Sequence, residues 1–219
     1  MRDLALDTAL ASVGDDLYFS IVRLGAHPDT QPLAAGVTKL LAKVDATVVE
    51  QHGLQRSIAK ADATAAGTRA DVDGFVGDLQ VTALGVCKQD RSDARFATLF
   101  PDAASTVQGY DEPKLRKWLD GVATALPKMA EKELQAHAAA AKKLLATWDT
   151  TEAAQAAAAT ANSQHDASVR TPLRLAVNAA RRDLFADLTK LATKSQRSKR
   201  WLESFFRSGT VKKKAAVAA

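Results

Sequence analysis

The chain has 219 residues, 25% of them charged and 47% hydrophobic, with a formal net charge of +5. No apolar run approaches the roughly 18–20 residues of a membrane span, and Asp3 and Asp7 interrupt the first apolar pattern, so neither a membrane helix nor an export signal is read. One cysteine, Cys87, excludes an internal disulfide and suits a reducing, cytoplasmic setting, with the thiol expected as a buried packing group.

Much of the hydrophobic share is Ala, as in AHAAAAKKLLA and EAAQAAAATA, and only 5% of residues are aromatic. Ala is the strongest helix former and suits strands poorly. The first predicted helix carries Leu6, Leu10, Val13, Leu17, Ile21 and Leu24, at spacings of three and four. Gly25 and His27-Pro28-Asp29 end it. A second helix runs from about Pro32 through Leu33, Val37, Leu40, Leu41, Val44 and Val48 into an Ala-rich polar stretch containing Gly67. A third is marked by Val72, Phe75, Val76, Leu79, Ala83 and Val86, with Gly74 and Gly77 expected to allow close helix contact. The short segment ARFATLF follows, then a loop over 101–110.

Asp111-Glu112-Pro113 has the chemistry of a helix start: a capping side chain, an acid for the helix dipole, and a proline whose missing N–H does no harm in the first turn. Leu115, Trp118, Leu119, Val122 and Leu126 continue at helical spacing. Pro127 either kinks this helix or opens the next. An Ala-rich helix extends to about Asn162, and Thr171-Pro172 starts another bearing Val177, Leu184, Leu188 and Leu191. SKRWLESFF and the tail TVKKKAAVAA close the chain, the tail expected to be disordered over 210–219.

The two halves resemble each other. LLAKVDATVVEQ at 40–51 aligns with LLATWDTTEAAQ at 144–155, six of twelve positions being identical, at an offset of 104. A one-residue slip near Gly67 changes the offset to 105. Beyond it Arg69 meets Arg174, Val72 meets Val177, Asp78-Leu79 meets Asp183-Leu184, and Val86 meets Leu191. RFATLF at 95–100 meets RWLESF at 200–205. The expected fold is therefore all-α, an elongated antiparallel helical bundle with internal pseudo-twofold duplication. Its first repeat would span 1–110 and its second 111–209, the two packed as one domain. Phe96, Phe100, Trp201, Phe205 and Phe206 would close the ends of the core or form an interface.

Little in the chain points to catalysis. The histidines are His27, His52, His137 and His165; Glu133 and His137 lie four apart on one helix face, yet the Glu-x-x-His pairs of a helical di-iron site are missing. No phosphate-loop or dinucleotide-binding glycine pattern occurs. No metal or other cofactor is expected, and no enzyme activity.

Charge is unevenly spread: residues 111–219 hold 20 Lys/Arg against 11 Asp/Glu, whereas residues 1–110 hold 10 against 14. The C-terminal end concentrates Lys194, Arg197, Lys199, Arg200, Arg207, Lys212, Lys213 and Lys214 beside Trp201, Phe205 and Phe206. Cations among aromatics suit phosphate contact with base stacking, or an anionic surface. The sequence thus points to a non-catalytic structural or protein-interaction protein, with a protein partner or a second copy of itself. The alternative is binding of nucleic acid or another polyanion through Arg197, Lys199, Arg200, Arg207 and Lys212–Lys214.

Overall fold

A computed structural model describes residues 4–5 and 8–207. The tail from 208 on, with Lys212–Lys214, and Leu6 of the first apolar stripe lie outside the described residues. Among the described residues every regular element is helical, and no helix is long and apolar enough to cross a membrane.

The first helix, α1 (Leu10–Gly25), buries Leu10, Val13, Leu17 and Leu24, the stripe its spacing dictates. Thr30 then turns the chain: its hydroxyl donates to the Leu24 carbonyl at 2.7 Å, beside the His27 amide that reaches the same oxygen at 3.4 Å.

The next helix, α2, runs unbroken over Gln31–Val86, 56 residues. Separate second and third helices were expected here, with a polar stretch between them. The strong helix propensity of Ala, Leu, Lys and Gln outweighs single glycines, each costing about 1 kcal/mol. Nor do the glycines serve close packing: a Cβ added at Gly67, Gly74 or Gly77 would have no neighbour within 4 Å. The close approach lies instead at Gly14 of α1, where an added Cβ would sit 3.6 Å from Val44 and 3.7 Å from Leu41.

Two positive-φ residues, Lys88 and Gln89, end α2, and Gln89 N–H returns to the Leu84 carbonyl at 2.8 Å. This bond across six residues is the usual way to satisfy a terminal carbonyl. The short α3 (Ala94–Leu99) follows, capped by Asp93, which accepts from the Arg95 amide at 2.8 Å. The expected loop over 101–110 contains a further short helix, α4 (Ala104–Gln108).

Helix α5 (Glu112–Ala125) begins as its sequence predicts, with Asp111 accepting from the Lys114 amide. Pro127 lies in a 3₁₀ turn, Leu126–Lys128, after which Met129 is extended. It therefore separates two helices and does not kink one. A single turn, α6 (Lys132–Gln135), leads into α7 (Ala138–His165).

No break separates α7 from α8 (Thr171–Lys194): a π-helical turn, Asp166–Arg170, joins them. The end of α8 repeats that of α2, with Gln196 at positive φ and Arg197 N–H returning to the Ala192 carbonyl at 2.8 Å. Last is α9 (Lys199–Glu203), where Ser198 accepts from the Trp201 amide.

The chain forms two compact units, one from Met1–Leu54 with Ala161–Ala219, the other from Gln55–Thr160. These do not coincide with the expected repeats 1–110 and 111–209. The first unit packs α1, the start of α2, α8 and α9 around Leu17, Val44, Leu188 and Phe205. The second packs the end of α2, α3, α5 and α7 around Leu79, Leu99, Leu119 and Trp148. Burying a Leu, Val or Phe stabilises by about 1.5–3 kcal/mol each, so each core offsets the ordering of its own chain segments.

Candidate functional site

The aromatic segments are placed by their short helices. In the second unit Phe96 and Phe100 stack with ring centres 5.2 Å apart, and Phe100 meets Trp118 at 5.9 Å. The Trp118 indole N–H donates to the Leu99 carbonyl at 2.9 Å, which locks α3 onto α5. Phe96 and Phe100 are buried. In the first unit Phe205 is fully buried; its ring lies 4.9 Å from Trp201 and 6.2 Å from His27. The Ser20 hydroxyl donates to the Phe205 carbonyl at 2.9 Å, and Arg23 donates to the Ser204 carbonyl and hydroxyl. Phe206 is half-buried against Phe185. These rings are occupied with packing.

The described cations of the C-terminal segment, Arg197, Lys199, Arg200 and Arg207, are exposed. Three have partners already: Arg197 lies over the Trp201 ring, Lys199 is 3.8 Å from Glu203, and Arg207 is 4.0 Å from Asp15. With Phe205 enclosed and Trp201 flanked by His27 and Arg197, base stacking has little ring surface to use. Electrostatic contact through Lys194, Arg197, Lys199 and Arg200 needs no ring.

His137 Nε2 is tied to the Thr82 hydroxyl across 3.0 Å, and that hydroxyl also lies 3.1 Å from the Asp78 carbonyl. His165 meets Glu50 at 3.1 Å. Among the described residues no group of three His, Cys, Asp or Glu side chains could hold a metal ion. Cys87 is buried, and that burial raises its thiol pKa, with the Asp93 charge adding to it.

Two charge clusters are structural. Arg95 donates to both oxygens of Asp93 and, at 2.5 Å, to Glu131. Those hydrogen bonds hold the Asp93 carboxyl down at about 2 and lower that of Glu131, while the Arg95 guanidinium is raised. In the first unit Arg181, buried, lies 3.7 Å from Asp16 and under the Phe206 ring. Burial raises the Asp16 pKa, opposed by the Arg181 and Arg207 charges.

Two surfaces were not singled out from sequence. The outer face of α1 leaves Tyr18 at 61% exposure and Val22 at 53%, with Phe19 beside them. These alternate with the buried stripe, and a helix apolar on two sides reads in sequence merely as a more hydrophobic helix. The other is a cleft of about 300 Å³ in the second unit, where the middle of α2, the start of α5 and α7 meet around Thr68, Arg116, Trp148 and Thr151. Its lining comes from three distant stretches of chain, so no local spacing announces it.

No family model, curated protein or solved structure matches the chain.

Proposed function

We propose that the chain is a non-catalytic helical scaffold that associates with a second copy of itself, and that it arose by duplication of a stretch of about 105 residues. The observation carrying the self-association is the outer face of α1. Asp15, Phe19 and Arg23 follow one another four apart, with Tyr18 and Val22 alongside. Two such helices crossing antiparallel about Phe19 bring Asp15 of each copy to Arg23 of the other. Arg23 gives its hydrogen bonds to the neutral Ser204 and lies over the Phe205 ring, and the exposed Asp15 would exchange its 4.0 Å contact with Arg207 for the other copy's Arg23. Twofold pairing of one patch with itself is the commonest way for a soluble chain to associate.

Several features support the duplication. Buried positions recur at the offsets that the sequence alignment uses: Val37, Val44 and Thr47 against Ala141, Trp148 and Thr151, and Val72, Val76, Leu79, Ala83 and Cys87 against Val177, Arg181, Leu184, Leu188 and Ala192. Leu10, Val13 and Leu17 answer Leu115, Trp118 and Val122 at an offset of 105, which takes a second one-residue slip, in the opposite sense, before Val37. Both copies end their long helix with a positive-φ turn and a capped short helix. The one-residue slip falls between Asp62/Asp166 and Arg69/Arg174, the interval that holds the π-helical turn Asp166–Arg170. A π turn closes its hydrogen bonds over one more residue than an α turn. It therefore absorbs a single inserted residue without rotating the flanking faces. In this reading each compact unit joins the front of one copy to the back of the other, an exchange of segments within one chain.

Sedimentation of the full chain at about 100 μM tests the association. A dimer is expected, converted to monomer by Tyr18→Ser with Val22→Ser and weakened by Asp15→Arg. A monomer at that concentration, or a dimer that ignores all three changes, would overturn it.

The exposed row Lys194, Arg197, Lys199 and Arg200 favours a second reading, polyanion binding. Retention on heparin that falls steeply with salt and is lost on neutralising 197–200 would support it; salt-insensitive passage would end it.

A further inference from the structure

The cleft in the second unit has a hydrogen-bonding character that its composition hides. Thr68 and Thr151 face each other across it, their hydroxyl oxygens 3.3 Å apart. Each hydroxyl has one proton, and it goes either to its own helix, from Thr68 to the Thr64 carbonyl at 3.0 Å and from Thr151 to the Thr147 carbonyl at 2.8 Å, or from one threonine across to the other. What both offer is therefore lone pairs.

The nearby donors are largely engaged. Arg69 gives its N–H groups to the Gln108 and Tyr110 carbonyls and to Asp73. Arg116 holds Asp149 through two nitrogens at 2.9 and 2.7 Å, and the Gln155 amide nitrogen donates to Asp62 at 3.0 Å. Each arginine charge thus has an aspartate beside it. Glu112 and Glu152 complete the rim with exposed carboxylates, while Ala65, Pro113 and Trp148 supply apolar wall.

An acceptor-rich cleft whose two arginines are already paired with aspartates, and whose lining includes an indole, suits a donor-rich cation with a short apolar body. An ammonium carries three donors and no acceptor, and an aromatic face attracts it further. We propose that this cleft binds a small organic ammonium ion, an alkyl amine or diamine, with the charge at Glu152 and Glu112 and the methylenes along Trp148 and Pro113. The proposal does not depend on self-association, since every residue of the cleft lies in the second unit and α1 belongs to the first.

The test is a titration of the full chain with 1,4-diaminobutane, followed by the three indole N–H signals in a proton–nitrogen correlation spectrum, Trp148 being identified by Trp148→Phe. The Trp148 signal is expected to shift saturably, with a dissociation constant on the order of 1 mM, while those of Trp118 and Trp201 stay in place. Glu152→Gln should weaken binding about tenfold, as should Thr151→Val, because either removes an acceptor worth about one decade. Glu203→Gln, in the other unit, should leave it unchanged. No shift of Trp148 at about twenty times that concentration, a Glu152→Gln variant that binds as tightly as the parent, or the same shift produced by inorganic phosphate in place of the diamine would each overturn the proposal.

Discussion

The two compact units use the same kinds of parts but fill matching places differently. Where the first unit sets Gly14 within close reach of Val44, the second has Leu119 and Trp148 at the aligned positions. Small side chains let helix axes approach and large ones hold them apart. Where the first unit has Ala11, Val48 and Leu173, the second has Arg116, Glu152 and Thr68, which line its cleft. Conversely, the first unit buries Arg181 beside Asp16 where the second has Val76 and Gly121. Each helical core keeps its buried positions filled by its own set of side chains. Polar chemistry can then settle at a different place in each unit.

The most severe challenge to this comparison is removal of the aromatic closures. Phe205→Ala and Phe100→Ala should each cost about 3–5 kcal/mol, read by urea unfolding, because both leave a cavity in a core. Rings serving mainly as docking surface would cost under about 1 kcal/mol, and that result would break the equivalence of the two ends.

A smaller effect is expected at the π-helical turn, where the outcome separates inserted residue from ordinary helix. Deleting Ala167 should shorten the turn to α-helical geometry and keep both flanking faces in register, with a melting temperature within about 5 °C of the parent. Deleting Ala157, within α7, should be far more damaging, since each residue rotates the following face by about 100°. Equal damage from both deletions would remove the support that the π turn lends to duplication.

The mildest change is expected from acid, and it should act on the second unit through α3. Asp93 titrates at about 2 in the folded chain against 3.8 for the free side chain. Its folded value is depressed, so its contribution is present above pH 4 and is lost as the pH falls from about 4 to about 2. Asp93→Asn should flatten the stability profile in that window while leaving the cap of α3 largely intact, since Asn also caps. An unchanged profile would show that the Asp93–Arg95–Glu131 cluster adds nothing to folding.

Much of the fold was legible because local rules govern it. The stripe of α1, the Asp111-Glu112-Pro113 start of α5 and the helical spacing of Val177, Leu184 and Leu188 follow from the geometry of one helix turn. The continuity of α2 was hidden because the polar, Ala-rich stretch around Gly67 interrupts the apolar side chains of the stripe between Val44 and Val72. A stripe that passes through Ala and polar residues looks like a break to any reading that follows large apolar side chains alone. Of the candidate site residues, the aromatic segments were visible as a repeated pattern. The cleft was not, because Thr68, Arg116 and Trp148 share no spacing.

The sequence by itself determined that this is a helical protein, where several of its helices start, and that its second half carries the basic charge, since propensity, capping and composition act within a few residues. The tertiary structure alone decided which segments share a core, which aromatics are buried, and where acceptors converge beside Trp148. Those outcomes depend on packing between residues tens of positions apart, where side-chain volume and hydrogen-bond satisfaction select the partners.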